Sequence, residues 1–265
     1  MKLSRFLLAV AAVFGLASCL EIKSTVIVNK DGTAIVEETA LLGAQLAAMM
    51  AQGGAGGGPG DQLKGIVMDK AKAEERAKQL GEGVTVKSVE EVKTADGKTG
   101  SKAVFAVADI RKLKFKPNTP DEKKEGAKDD TSAMTFALEG STLTMTNPDA
   151  DKKKGSGDKP KKSAEEIAQM KAQVGMMKPM FAGMRMTVEV KSASGIASTD
   201  ASHQNGDAIS ILDIQFDKLL DNIDAFAEIM ESGDGGMSMA EAAKKFEKVD
   251  GLKIEGKKTI KVELK

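Results

Sequence analysis

Short runs in which apolar and polar residues alternate, parted by turn-forming pairs, decide what this 265-residue chain can become. Successive side chains of an extended strand point to opposite faces, so each such run has one face to bury and one to wet. Ile22, Ser24, Val26 and Val28 form the first run, Lys30-Asp31-Gly32 supplies a turn, and Ala34, Val36 and Glu38 continue beyond it. That pattern predicts a β-hairpin. A second spans Val84 to Ile110 and turns at Asp96-Gly97; its return strand, Ala103 to Ala108, is apolar on both faces and is expected in the interior of a sheet. In a third, Met134, Phe136 and Leu138 face Leu143 and Met145 across Gly140-Ser141. In the fourth, Met186, Val188 and Val190 return through Ala208 to Phe216 after a loop holding Asn205-Gly206. A last alternating run contains Ile260, Val262 and Leu264.

Between the hairpins the period lengthens to that of a helix. Asp61 is placed to cap a helix through Gln79 that carries Leu63, Ile66, Val67, Ala71, Ala77 and Leu80, with Gly81 ending it. Ser163 and Glu166 form a capping box before Ile167, Met170, Val174 and Met177, and Pro179 is expected to end or kink that helix. Asp217 to Glu231 and Ser238 to Lys248 read as two more, the second behind a box of Ser238 and Glu241. Ala44 to Ala51 suits a short helix, whereas the glycine-rich Gly53 to Gly60 breaks structure. Two polar tracts, Lys116 to Asp130 and Asn147 to Lys162, read as loops. Between Pro148 and Lys162 six Lys stand among three Asp, a composition for solvent or for anionic headgroups.

These elements predict an α+β fold: antiparallel β-hairpins forming a twisted sheet, with amphipathic helices packed on one face. The order strand-strand-helix-strand-strand over 21–110 recurs over 131–216, which suggests two halves of one envelope domain spanning 19–265. Residues 217–265 add a helical and strand C-terminal part.

The amino-terminal residues carry a different signal. Lys2 and Arg5 precede an uncharged apolar run, Phe6 to Leu16, which is shorter than the roughly 20 residues of a membrane-spanning helix. Residues 1–18 therefore read as a secretory leader. The run closes in Leu16-Ala17-Ser18-Cys19, which resembles the lipobox of bacterial prolipoproteins. That resemblance implies cleavage between Ser18 and Cys19, a diacylglyceryl group on the Cys19 thiol, and further acylation of the new amino terminus. Two or more chains make a lasting anchor, at about 0.8 kcal/mol per buried methylene. The first strand would start almost at the lipid. Leu20, in place of the Asp that retains enteric lipoproteins at the inner membrane, points to the outer membrane, facing the periplasm.

Composition narrows the chemistry further. Lys and Arg number 39, as do Asp and Glu, and loss of Lys2 and Arg5 with the leader brings the net charge to −2. A general nucleic-acid binder would carry a strong basic excess, so no nucleic-acid partner is expected. The single cysteine excludes disulfides within the chain. It also leaves the single histidine, His203, without a thiol to activate; its setting, Ser202-His203-Gln204-Asn205-Gly206, reads as a solvated turn. No calcium-loop or zinc-ligand spacing occurs, so no metal or cofactor is expected. The acidic neighbours Glu37-Glu38, Glu90-Glu91 and Glu165-Glu166 are expected to coat the surface, because adjacent strand residues diverge.

Met170, Met176, Met177, Met180, Met184 and Met186 cluster across one helix and the strand it feeds. Flexible thioethers suit either an apolar core short of aromatics or a groove for acyl chains or a partner helix. The stretch Met184 to Leu220 is similar to mycobacterial LppM-type lipoproteins, through its alternating strand, the Ser194-Gly195-Ile196 turn, Ser198 to Asp200, and Asn205-Gly206 before a second strand. That resemblance implies an envelope lipoprotein whose α+β domain binds lipid in an apolar cavity. The sequence thus supports a membrane-anchored, non-catalytic binding or structural module, with a lipid or an envelope protein as partner. Its rivals are a lipid carrier or sensor with a Met-lined cavity and a hydrolase built on carboxylates.

Overall fold

In a computed structural model of the chain, residues 20–44, 46–48, 66–117, 133–148, 150–151, 164–181, 183–233 and 237–265 are described. The first hairpin forms as its alternation dictates: β1 (Leu20–Val28) pairs antiparallel with β2 (Ala34–Leu42), Val26 opposite Val36 and Ile22 opposite Ala40. Gly32, at φ 85°, makes the turn in a conformation that costs a residue with a Cβ. The second hairpin is β3 (Val84–Lys93) and β4 (Thr99–Val107), and β4 joins the first through β2. Strand β4 is internal, as its apolar run predicts, although its residues alternate between buried and half-buried.

The third hairpin, β5 (Thr135–Glu139) and β6 (Thr142–Thr146), lies elsewhere. It belongs to a separate four-stranded sheet ordered β5-β6-β12-β8, where β8 is Ile196–Thr199 and β12 is Thr259–Leu264. The fourth, β7 (Arg185–Ser192) with β10 (Ala208–Gln215), extends the first sheet. The two-residue β9 (Gln204–Asn205) and β11 (Leu252–Ile254) line the far edge of β10, so the larger sheet runs β11-β10-β7-β1-β2-β4-β3. The expected single antiparallel sheet is thus two sheets, and the seam between β1 and β7 is parallel. Alternation specifies a strand's faces and not its partner, so neither feature can be read from it.

The even-numbered residues of β1 and β2 face the core. Val26, Val28, Val36 and Phe105 meet Phe136, Leu143, Met145, Ile260 and Val262 of the smaller sheet, while α1 (Lys70–Leu80) adds Ala73, Ala77 and Leu80. Asp69, not Asp61, caps α1, accepting from Lys72 N at 2.8 Å; Asp61 lies outside the described residues. Ala71, expected inward, is exposed, and Arg76 takes a place on the buried face.

Helix α2 (Ala164–Phe181) continues two residues past Pro179, and Ser163 of its predicted capping box lies outside the described residues. The helix expected over 217–231 is two, α3 (Phe216–Asp221) and α4 (Ile223–Gly233). They part at Asn222, whose side chain accepts from Ala225 N at 3.1 Å and so starts α4 afresh. Phe181 of α2 stacks on Phe216 at 6.1 Å and meets Phe226 of α4 at 6.3 Å. Around them Leu219, Leu220, Val174 and Ile229 complete a cluster that holds the helices together. The Ser238–Glu241 capping box is present at the head of α5 (Met239–Lys245). Among the described residues no helix is long and apolar enough to cross a membrane.

Candidate functional site

Ser18 and Cys19 lie outside the described residues, and the chain enters the fold at once after them. Leu20 is the first residue of β1 and is 2% exposed. Strand register gathers the end of β2 at Leu42, the start of β4 at Thr99 and the start of β7 at Arg185 around it. Leu20, Ile22, Ala40, Leu42 and Ile66 form a small apolar cluster there, with Leu46, Ala47, Val67, Met184 and Met186 half-buried against it.

A polar belt divides this cluster from the main core. Ser24, Glu38, Arg76 and Ser101 are all buried on the same side of the sheet, one row inward from Ile22 and Ala40 or beside it. The Arg76 guanidinium donates to Glu38 from Nη2 at 2.7 Å and from Nε at 3.0 Å, and Nη2 also donates to the Lys116 carbonyl. Ser101 Oγ accepts from Met68 N at 2.8 Å. A gap of about 10 Å³ lined by Ile22, Ser24, Glu38, Ala40, Ile66 and Met68 holds one water at most, far less than an acyl chain needs.

The structure places two of the six methionines of the sequence cluster. Met186 sits opposite Ile22 across the parallel seam, and Met184 precedes β7; both fill space beside the Leu20 cluster. Met170, Met176, Met177 and Met180 belong to α2, and their side chains lie outside what is described.

His203 is not a freely solvated turn residue: it is half-buried, with Nε2 3.2 Å from the Ile254 carbonyl. Beside it Glu255, 1% exposed, accepts from Ser202 N, Ser202 Oγ and Lys257 N, so this corner is tied together by structural hydrogen bonds. Of the acidic neighbours, Glu90, Glu91, Glu165 and Glu166 are exposed, as expected, and Glu37 pairs with Lys102 at 3.2 Å. Glu38 is the exception, because it occupies the apolar phase of β2 and is buried against Arg76. That placement was readable as an acid in register with Ala34, Val36 and Ala40, and Arg76 as a cation in register with Ala73, Ala77 and Leu80.

The opposite face of the larger sheet carries interlocked charges. Glu189 accepts from Lys23 at 2.8 Å, Lys191 at 3.0 Å and Thr25 Oγ1 at 3.0 Å. Burial raises its carboxyl, but the bonds from Lys23 and Lys191 outweigh that and leave its pKa below the ordinary value. Asp213 pairs with Arg185 through two bonds of 2.9 Å. At the Leu20 end, burial works against the charge of Lys98, and its bond and attraction to Glu21 prevail, so its pKa is raised.

At the far end, Lys30, Asp31, Ala108, Asp109, Arg111 and Leu138 line an open cleft of about 310 Å³. Bonds from Thr33 hold the Asp31 carboxyl below its ordinary pKa, and bonds from Arg111 do the same for Asp109. No grouping of three or more potential metal ligands occurs among the described residues.

These features define an α+β domain of two open sheets, whose first strand begins beside a candidate lipidation site. No protein-family model matches the chain, and no curated protein is significantly similar to it. Among solved structures, the folded domain of the LppM protein of Mycobacterium tuberculosis, determined by NMR, is 12% identical. It aligns with a TM-score of 0.29 over 74% of this chain and 82% of that one.

Proposed function

We propose that the chain is a lipid-anchored lipoprotein of the cell envelope, held through acylated Cys19, and that its domain is a non-catalytic binding or structural module. The observation that carries the reading is the junction itself. Leu20, one residue beyond the lipobox cysteine, is already a buried member of β1. The anchor therefore joins the folded body without a tether, and the placement favoured by Leu20 after Cys19 is the outer membrane, facing the periplasm.

The test is the full chain expressed in a lipoprotein-processing bacterium with a fatty-acid label. The anchored protein is expected in the membrane fraction, labelled, with an intact mass that begins at Cys19 and includes the acyl groups. Cys19→Ala should abolish the label. A native protein that starts elsewhere and carries a free sulfhydryl overturns the reading.

A further inference from the structure

The end of the fold that holds the Leu20 cluster differs from the opposite end in more than its distance from Cys19. Its apolar cluster is sealed from the main core by the belt of Ser24, Glu38, Arg76 and Ser101, and its outer members Leu46, Ala47, Val67, Met184 and Met186 remain half-buried. Ala48, in the short helical stretch after β2, is exposed there, as is Ala95 in the β3–β4 turn. The helices α2, α3 and α4 attach at this same end, through Met184, Phe216 and the start of β7: Phe216 N bonds to the Met184 carbonyl at 3.0 Å. The other end consists of polar turns, including Lys30-Asp31-Gly32 and Gly140-Ser141, around the cleft that contains Asp31 and Asp109.

We propose that the domain stands on the bilayer on its Leu20–Leu42–Met184 end, with this apolar surface in the lipid interface and the strands of the larger sheet running away from the membrane. The inference rests on the anchoring reading and adds an orientation to it. Consecutive Cα atoms are about 3.8 Å apart, so an acyl group on Cys19 emerges within a residue's reach of Leu20. Strand β1 then rises about 3.3 Å per residue, which carries Lys30 roughly 30 Å from the anchor. A tether of many residues would let the domain tumble. With none, the first strand fixes which end meets the lipid, and half-buried apolar groups at that end gain from entering the interface. The salt bridges of the helices bordering this end, Lys178 with Asp221 and Lys171 with Asp224, balance in sign. Contact is therefore expected to be insensitive to anionic lipid.

Acylation consumes the Cys19 thiol as a thioether, so one new cysteine in the mature lipoprotein is a unique attachment point for a fluorophore. Ala48→Cys and Ala95→Cys report on the near end and Lys30→Cys on the far end; all three positions are exposed, and circular dichroism verifies folding. Each labelled lipoprotein is reconstituted in phosphatidylcholine vesicles that carry a doxyl quencher near the headgroups. Quenching is expected to be several-fold stronger at positions 48 and 95 than at position 30, and unchanged when phosphatidylglycerol is added. An acylated protein quenched equally at all three positions, or most at position 30, overturns the orientation and leaves the anchor standing. A protein that lacks the acyl mass overturns both.

Discussion

Arg76→Leu is the perturbation with the clearest arithmetic. In the native fold the side chains of Arg76 and Glu38 are 10% and 4% exposed, and their closest approach is 2.7 Å. Leucine fits the stripe of Ala73, Ala77 and Leu80 and keeps the helix propensity, so the change isolates the charge. Glu38 loses its counter-ion but stays buried, and a stranded buried charge costs about 3–5 kcal/mol. Loss of the bonds to the Lys116 carbonyl and Gln79 moves the cost toward the upper end of that range. With a urea dependence of about 3 kcal/mol per molar for a domain of this size, the unfolding midpoint should fall by more than about 1 M. The assay is far-ultraviolet circular dichroism on a chain beginning at Leu20, because the sequence contains neither Trp nor Tyr to follow by fluorescence. The double variant Glu38→Leu with Arg76→Leu should recover most of the loss, since a buried ion pair exchanged for apolar groups is often neutral or better. A single-variant cost under about 1 kcal/mol, or a double variant no better than the single, would refute the reasoning that the pair is desolvated and mutually dependent.

Two further outcomes follow from the geometry. A Cβ on Gly100 would stand 1.9 Å from the Ala40 carbonyl oxygen in the adjoining strand. Gly100→Ala should therefore force β2 and β4 apart and cost upward of about 3 kcal/mol, read as a lowered midpoint or failure to accumulate in the fold; wild-type stability would show that the strands separate freely. Glu189, its pKa depressed by Lys23 and Lys191, adds stability above the ordinary carboxylate value of 4.5, and that contribution disappears as pH falls through its lower folded value. Glu189→Gln should accordingly lose less stability than the wild type between neutral pH and acid, and parallel pH profiles would contradict this.

How much of this could be read beforehand depended on how local the information is. All four hairpins and the final strand are where alternation and turn residues put them, because a strand's faces, and for the tight hairpins its partner as well, are set by nearby sequence. The second sheet was not legible, since β12 must come from the far end of the chain to lie between β6 and β8. The capping box at Ser238 identified its helix, whereas the continuous apolar pattern over 217–231 hid the break at Asn222. At the candidate site, the strand that follows Cys19 was plain from the alternating run beginning at Ile22. The polar belt was missed because Glu38 was taken by type, as a surface charge, and Arg76 was not singled out, when their phase in a strand and a helix already put them inside. Of the methionines, Met184 and Met186 share the Leu20 cluster; that proximity arises from the parallel seam, which no local pattern encodes.

That seam has a bearing on how such a chain acquires its shape. Glu21 sits beside Arg185, and the smaller sheet cannot close until residues 259–264 arrive. A polypeptide threaded across a membrane amino end first would thus wait, with its opening hairpin formed and the β1 edge bare, until residues 185–192 had emerged, and its smaller sheet would wait for almost the whole chain. Contacts so distant in sequence make for slow assembly, and until they form that edge stays open to pairing with other strands.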